Sequence, residues 1–206
     1  MVSGILATMP AANRPTASEQ LERVRRDWTA QGGDLWLFGY ASLIWRREFE
    51  TAEIRPAQVW AWHRALRMRS RVNRGTPEQP GLVFALLPGG SCRGLALRID
   101  RDLAHAELPR LWDREMPNGV YDARWLRCAT PGGEVRALGF TLARDSSHHT
   151  GPIPDPHLLD ILRTAQGRFG TTLDYLIQTA VALRQHRVHD REIERLVALA
   201  RRHGLA

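Results

Sequence analysis

The sequence contains no lysine, so all 29 of its basic residues are arginine, set against 22 acidic residues. Three kinds of site need a lysine and are therefore excluded: a phosphate-binding P-loop, a catalytic Schiff base and a lysine general base. The formal net charge of +7 would on its own suggest nucleic-acid binding. The arginines are nevertheless spread along the chain, with one cluster over 64–74, and they form no recognisable nucleic-acid-reading motif.

Cysteine is scarce, and long apolar runs are missing. The spacing of Cys92 and Cys128 matches no metal or redox motif, so we expect two free thiols in a protein core. No stretch is long enough to span a bilayer, and residues 1–14 lack the charged and apolar regions of a secretory signal. We therefore expect a cytoplasmic protein with no membrane partner.

The pattern of apolar residues predicts a mixed α+β chain in two parts. Residues 1–33 are interpreted as an N-terminal extension with one helix, which begins at the capping box Thr16-x-x-Glu19 and ends at Gly32-Gly33. Residues 34–206 are interpreted as the main domain. Its strands are predicted at 35–38, 56–66, 81–87, 93–99, 121–128 and 134–143.

Turns and helices fill the rest of the main domain. Turns are predicted at 88–90 and 131–133, where proline is followed by two glycines. A helical segment over 100–114 should be split into two pieces by Pro109. Three further helices are expected to begin at Asp155 as N-cap, at Thr171 or Thr172, and at Asp190.

The segment 35–45, Leu-Trp-Leu-Phe-Gly-Tyr-Ala-Ser-Leu-Ile-Trp, is the most informative stretch. Its apolar start predicts a buried strand, and Gly39 then permits a sharp turn. Backbone N–H groups exposed by such a turn can bind an anion or a developing oxyanion. No Ser-His or Cys-His arrangement elsewhere suggests a nucleophile. Adjacent His148 and His149 would point to opposite faces of an extended chain, so no metal site is predicted.

Six segments, from about residue 34 to about residue 190, resemble the ChaC-type γ-glutamylcyclotransferases in the same order. They are 38–45, 73–81, 92–96, 112–121, 151–152 and 165–176. The resemblance implies an α+β fold with a curved or barrel-like mixed sheet surrounded by helices. It also implies a cofactor-free reaction in which the α-amine of a γ-glutamyl substrate, most often glutathione, attacks its own γ-carbonyl. The products are 5-oxoproline and a free amine.

The resemblance also implies roles for individual residues. Glu115 matches the carboxylate that takes a proton from the α-amine and returns one to the leaving amine. The loop made of Gly39, Tyr40, Ala41, Ser42 and Leu43 is expected to hold the γ-glutamyl end of the substrate. Arg74 is expected to pair with a substrate carboxylate, and Tyr175 is expected to turn its hydroxyl toward the site. Ala41 departs from the family pattern, which has glycine there, and alanine disfavours positive φ.

Three alternatives remain open at this point. Arg67, Arg69 and Arg71 replace aromatic and small residues of the family pattern, so the substrate is either glutathione or another γ-glutamyl amine or peptide. A non-catalytic regulatory or binding protein with the same fold is the second alternative, and an intact Glu115 argues against it. The third is a basic nucleic-acid-binding module, which only the net charge favours. We expect a small-molecule substrate and no nucleic-acid partner.

Overall fold

Five strands close into a barrel in this computed structural model, which describes residues 14–206. They are β1 (Leu35–Gly39), β2 (Glu53–Ser70), β3 (Gly81–Ile99), β4 (Asp122–Thr130) and β5 (Gly133–Thr141). Their order around the barrel is β1-β3-β2-β4-β5. The barrel closes where Leu37 of β1 lies opposite Leu138 of β5 in parallel, whereas the other neighbours are antiparallel. The predicted α+β fold with a barrel-like mixed sheet is confirmed.

Helices pack against this barrel at several points. They are α1 (Ala17–Gln31), α2 (Ser42–Trp45), α3 (Arg101–Glu115), α4 (Asp155–Thr164), α5 (Thr172–Gln185) and α6 (Arg191–Arg202). A two-residue hairpin, β6 (Gln166–Gly167) and β7 (Gly170–Thr171), precedes α5. The capping box at Thr16 begins α1 as predicted, and Asp190 caps α6. Thr171, one of the two residues predicted to begin the next helix, caps α5 with a second capping box. For α4 the N-cap is Pro154, so the prediction of Asp155 was wrong by one residue.

The predicted turn at 88–90 is wrong, because β3 continues through it as a single strand. Gly89 and Gly90 both have positive φ, at 101° and 69°, and Ala61 on the facing strand also has a positive φ of 64°. The pairing register between β2 and β3 shifts at this level, between Trp60 and Trp62. The glycines therefore form an irregularity of the β-bulge type, which twists a strand without reversing the chain.

The predicted break at Pro109 is also wrong, since α3 runs without interruption from Arg101 to Glu115. Proline loses one backbone hydrogen bond inside a helix. The buried side chains of Leu108, Leu111 and Trp112 keep the helix against the core on both sides of the proline. Burial of each such side chain contributes about 1.5–3 kcal/mol, which is enough to offset that loss. Glu115 is consequently the last residue of an unbroken helix.

Strands β1 and β3 cross at close range near the end of β1. A Cβ atom added to Gly94 would lie 2.4 Å from the Gly39 carbonyl oxygen, so only glycine fits there. Cys92 and Cys128 are buried free thiols, as predicted. Within residues 14–206, no helix combines the length and the apolar character that crossing a membrane requires.

Helix α1 packs on the barrel through a buried amide. The Gln20 side chain is 3% exposed; its Nε2 donates to the Tyr121 carbonyl at 3.3 Å, and its Oε1 accepts the Ala123 N–H at 2.8 Å. The Trp112 indole donates to the Ala17 carbonyl at 2.9 Å. The division into an extension over 1–33 and a domain over 34–206 stays a prediction, and residues 1–13 lie outside the described part.

Candidate active site

A narrow cleft lies where the chain leaving β1 meets the end of α3. Its walls combine one carboxyl group with three tyrosines and two phenylalanines. They are formed by Tyr40, Ala41, Ser42, Leu43, Phe84, Glu115, Tyr121, Phe140 and Tyr175. The fold thus brings Glu115 and Tyr175 together with four of the five predicted loop residues. A wider cleft beside α6 shares no residue with this one and contains none of the predicted site residues.

The loop after β1 presents backbone donors. Ala41 has a φ of −149°, so its conformation does not need the positive φ that would favour glycine. The short helix α2 begins directly after it, and no side chain caps that helix. Among residues 14–206, no acceptor takes the N–H groups of Ala41, Ser42 or Leu43. Three consecutive backbone donors therefore remain available beside the cleft.

Glu115 supplies the carboxyl group of the cleft. Its side chain is 14% exposed, and its Oε1 lies 3.1 Å from Nε of Arg114. Burial raises the pKa of Glu115, and the neighbouring Arg114 cation opposes part of this rise. A carboxyl group with a raised pKa is a better proton acceptor than an exposed one, which is the property a general base needs.

The three tyrosines of the cleft stay neutral. Burial raises the pKa of Tyr40, Tyr121 and Tyr175 above the ordinary value of 10.0. The Tyr40 hydroxyl donates to the Phe140 carbonyl at 3.0 Å. The Tyr175 hydroxyl accepts the Phe84 N–H at 3.3 Å, and within residues 14–206 no acceptor is recorded for its own hydrogen. Tyr175 therefore lines the cleft with a hydroxyl that can donate to a ligand.

Two of the predicted site residues do not line the cleft. Gly39 is the last residue of β1, packed against the Leu97 side chain. Arg74 is 5% exposed; its guanidinium donates to the Phe169 carbonyl, and at 3.4 Å to the Thr171 carbonyl. It lies 5.2 Å from the centre of the Tyr175 ring, behind the cleft wall. The pairing of Arg74 with a substrate carboxylate stays a prediction.

Three residues of the cleft were not predicted as site residues. Phe84 and Phe140 are fully buried strand residues that sequence patterning assigns to the core. Tyr121 lies just before β4, in the family-like segment 112–121. Its position in that segment was the only sequence feature that could have identified it as a site residue. Its backbone carbonyl is bound by Gln20 of α1, so the position of Tyr121 depends on a helix about 100 residues earlier.

No metal centre is apparent in the described part of the chain, where no group of three or more His, Cys, Asp or Glu residues could hold an ion. His149 instead donates from Nδ1 to the Arg144 carbonyl at 3.0 Å, and its backbone pairs with Met68 of β2. The two adjacent histidines therefore contribute to the loop that follows β5.

Comparison with curated proteins finds relatives along most of the chain. A glutathione-specific γ-glutamylcyclotransferase of Escherichia coli is 33% identical over 70% of this chain. That match spans 63% of the relative's length, which is less than two thirds. Glutathione-specific γ-glutamylcyclotransferase 1 of Homo sapiens is 29% identical over 84% of this chain and 78% of its own.

Comparison with solved structures finds the same fold. A crystal structure of a γ-glutamyl cyclotransferase specific to glutathione from yeast superposes with a TM-score of 0.73 and 17% identity. The superposition covers 83% of this chain and 97% of the yeast chain. A model of the family described as ChaC-like protein matches residues 35–203, which include every residue of the cleft. The chain therefore belongs to the ChaC-like protein family.

Proposed function

We propose that this protein is a γ-glutamylcyclotransferase that converts glutathione into 5-oxoproline and Cys-Gly. The observation that carries the proposal is the pairing of a buried carboxyl group, Glu115, with unpaired backbone N–H groups at 41–43 in one cleft. Family membership supports it, since the curated relatives named above are glutathione-specific cyclotransferases.

The first step needs a free amine on the substrate. Glu115 takes a proton from the α-ammonium group, and the resulting amine nitrogen attacks the γ-carbonyl carbon of the same molecule. A five-membered ring forms as the new C–N bond is made. Because the nucleophile belongs to the substrate, the protein mainly has to hold it in an attacking conformation, which explains why no nucleophilic side chain is required.

The attack places negative charge on the γ-carbonyl oxygen. The N–H groups of Ala41, Ser42 and Leu43 are suited to receive this oxyanion, and one such donor is worth about 10²–10³ in rate in a comparable setting. The bond between the γ-carbonyl carbon and the cysteine nitrogen then breaks. Glu115 returns its proton to the leaving nitrogen, then takes the second proton from the ring nitrogen and passes it to the released amine, which leaves as an ammonium ion. The reaction therefore consumes no water and restores the carboxylate.

Neutral hydroxyl groups complete the substrate site. Ser42 and Tyr175 both line the cleft and can donate to the carboxylate of the γ-glutamyl group. We propose Arg74, behind Tyr175, as a cation that attracts this carboxylate from the second layer of residues. Burial lowers the pKa of Arg74. An arginine guanidinium nevertheless keeps its positive charge in a protein.

A second candidate is a cyclotransferase for another γ-glutamyl amine or peptide. The observation that favours it is the arginine-rich run at 67, 69 and 71, which replaces the aromatic and small residues of the family pattern. None of these three arginines lines the cleft. A regulatory or binding protein without activity is disfavoured by the buried carboxyl group of Glu115. The cytoplasmic location and the absence of a nucleic-acid partner stay predictions.

One assay separates these candidates. The purified protein is incubated with glutathione, and 5-oxoproline and Cys-Gly are quantified together by mass spectrometry. Equal amounts of both products support the proposal. Turnover only of other γ-glutamyl amines or peptides moves the substrate assignment to the second candidate. No turnover of any γ-glutamyl compound, with salt-sensitive binding to DNA or RNA, would reject the enzyme and favour the nucleic-acid-binding module.

A further inference from the structure

Arg64 is a buried cation directly behind the loop that follows β1. Its side chain is 1% exposed. The guanidinium donates through NH1 to the Tyr40 carbonyl at 2.5 Å, and through NH2 to the Arg93 carbonyl at 2.9 Å and to Oδ2 of Asp190 at 2.5 Å. One side chain of β2 thus connects the candidate active-site loop, strand β3 and the start of α6.

The bond from Arg64 to Tyr40 fixes the orientation of one peptide unit. A peptide unit is planar and trans, so its C=O and N–H groups point in opposite directions. The described chain has no cis peptide bond. Because the Tyr40 carbonyl points to Arg64, the N–H of Ala41 in the same unit points away from Arg64. Ala41 itself lines the cleft that contains Glu115.

Asp190 makes the burial of this cation possible. An unpaired buried charge costs several kcal/mol, whereas a buried pair with further hydrogen bonds is tolerated. The Asp190 carboxylate pairs with Arg64 and also accepts the Ile193 N–H at 3.0 Å as the N-cap of α6. The C-terminal helix and the candidate active-site loop are therefore linked through a single guanidinium group.

We propose that Arg64, held by Asp190, is a positioning residue that aims the Ala41 N–H at the oxyanion. The inference rests on the proposed function, to which it adds the group that orients the donor. Hydrogen bonding of a cation to the Tyr40 carbonyl also polarises the peptide unit, which makes its N–H a stronger donor. Arg64 does not line the cleft, so it acts through the loop and does not touch the substrate.

The test compares variants of the full chain in steady-state kinetics with glutathione. The double substitution Arg64→Met with Asp190→Asn removes both charges, so that neither is left buried without its partner, and asparagine can still cap α6. We expect kcat to fall by up to ~10²–10³, the value of one oxyanion donor, with little change in KM. Arg64→Lys keeps the charge and is expected to retain an intermediate kcat.

The matched control is Arg184→Gln, which breaks the exposed ion pair of 2.5 Å between Arg184 on α5 and Glu194 on α6. It perturbs the packing of α6 without touching Arg64, so kcat should remain at the wild-type value. A folded double variant with wild-type kcat would overturn the proposal. If the double variant does not fold, full activity of Arg64→Lys overturns it, and a reduced kcat at unchanged KM supports it.

A second measurement works without turnover. With alanine labelled by 15N, the Ala41 amide resonance is assigned by its loss in Ala41→Gly. We expect this resonance to move in Arg64→Lys and in the double variant, and to stay in place in Arg184→Gln. If the wild-type protein fails to cyclise any γ-glutamyl compound, the proposed function falls. The resonance then decides the positioning role alone: an unmoved Ala41 amide rejects it, and a moved one supports it.

Discussion

Arg114 and Glu115, neighbours in sequence at the end of α3, form an ion pair of 3.1 Å between Nε and Oε1. The arginine is anchored from its other side, since NH1 donates to the Arg46 carbonyl at 2.5 Å. The cation therefore stays beside the carboxylate and limits the rise in pKa that burial causes. This balance suits a group that must both accept and return a proton.

Glu115→Gln should abolish detectable 5-oxoproline formation while the protein stays folded. Glutamine keeps the shape of the side chain but cannot accept a proton, and general acid–base catalysis contributes about 10²–10⁴ in rate. The measurement is kcat with glutathione, together with circular dichroism of the variant. Asp113→Asn, which neutralises an exposed carboxylate on the same helical turn, is the matched control and should keep wild-type kcat. Normal turnover by the Glu115 variant would exclude this residue as the base.

The pH dependence should report the raised pKa of Glu115. As the pH falls through this pKa the base becomes protonated, so kcat/KM should decrease at a pH above the ordinary glutamate value of 4.5. Arg114→Gln removes a cation that lowers this pKa, so the acid limb should move to higher pH. Glu48→Gln removes an anion that raises it, so the limb should move to lower pH. Shifts of the same sign in both variants would show that another group controls the limb.

Stability should depend on pH through the same carboxyl group. The folded-state pKa of Glu115 lies above its unfolded value, so the folded protein binds more protons between the two values. The free energy of unfolding therefore falls as the pH rises through this window. Glu115→Gln removes the effect and should unfold at a higher temperature than wild type at neutral pH, with the gap closing below pH 4.5, the ordinary value. A gap that widens toward acid pH would contradict the assignment.

Tyr175→Phe and Tyr40→Phe should differ in their effect on activity. The Tyr175 hydroxyl accepts the Phe84 N–H and keeps its own hydrogen for a ligand, whereas the Tyr40 hydroxyl uses its hydrogen on the Phe140 carbonyl. Both variants should lose about 1 kcal/mol of unfolding free energy, the net value of one hydrogen bond. Only Tyr175→Phe should then lower kcat/KM strongly. Equal kinetic losses would remove the special role of Tyr175.

Gln20→Leu should weaken both the fold and the site. It leaves the Ala123 N–H and the Tyr121 carbonyl without their partner, at a cost of about 1–3 kcal/mol in unfolding free energy. Because Tyr121 lines the cleft, kcat should fall as well. Glu22→Gln, an exposed change on the same helix, is the control for both measurements. A stable and fully active Gln20 variant would show that α1 does not support the site.

The sequence predicted those structural features that are determined by interactions between residues close together in the chain. The capping boxes at Thr16 and Thr171 each contain both of their partners within four residues, so the starts of α1 and α5 were visible in the sequence. Pro109 misled for the opposite reason, because the packing of α3 on the barrel outweighs the hydrogen bond that proline removes. The glycines at 89 and 90 misled similarly, because a bulge and a turn need the same positive φ.

The residues of the candidate site were identified from the resemblance to a known family more than from physical patterns in the sequence. Glu115 at a helix end has no sequence feature that distinguishes it from an exposed carboxylate, and only its position in the family-like segment 112–121 singled it out. Arg64 was hidden for a further reason. Its partners Tyr40 and Asp190 are 24 and 126 residues away, so nothing around it in the sequence marks it as buried.

The closed barrel also sets when the cleft can form during folding. Strand β1, which leads into the donor loop, pairs with β3 about 60 residues later and with β5 about 100 residues later. Pairings of such long range form slowly, since loop-closure entropy must be overcome first. A refolding chain that has formed its helices but has not yet paired β1 with β5 would not hold the loop at 39–43 opposite Glu115. Recovery of turnover after dilution from denaturant should therefore follow barrel closure and lag behind recovery of helical signal.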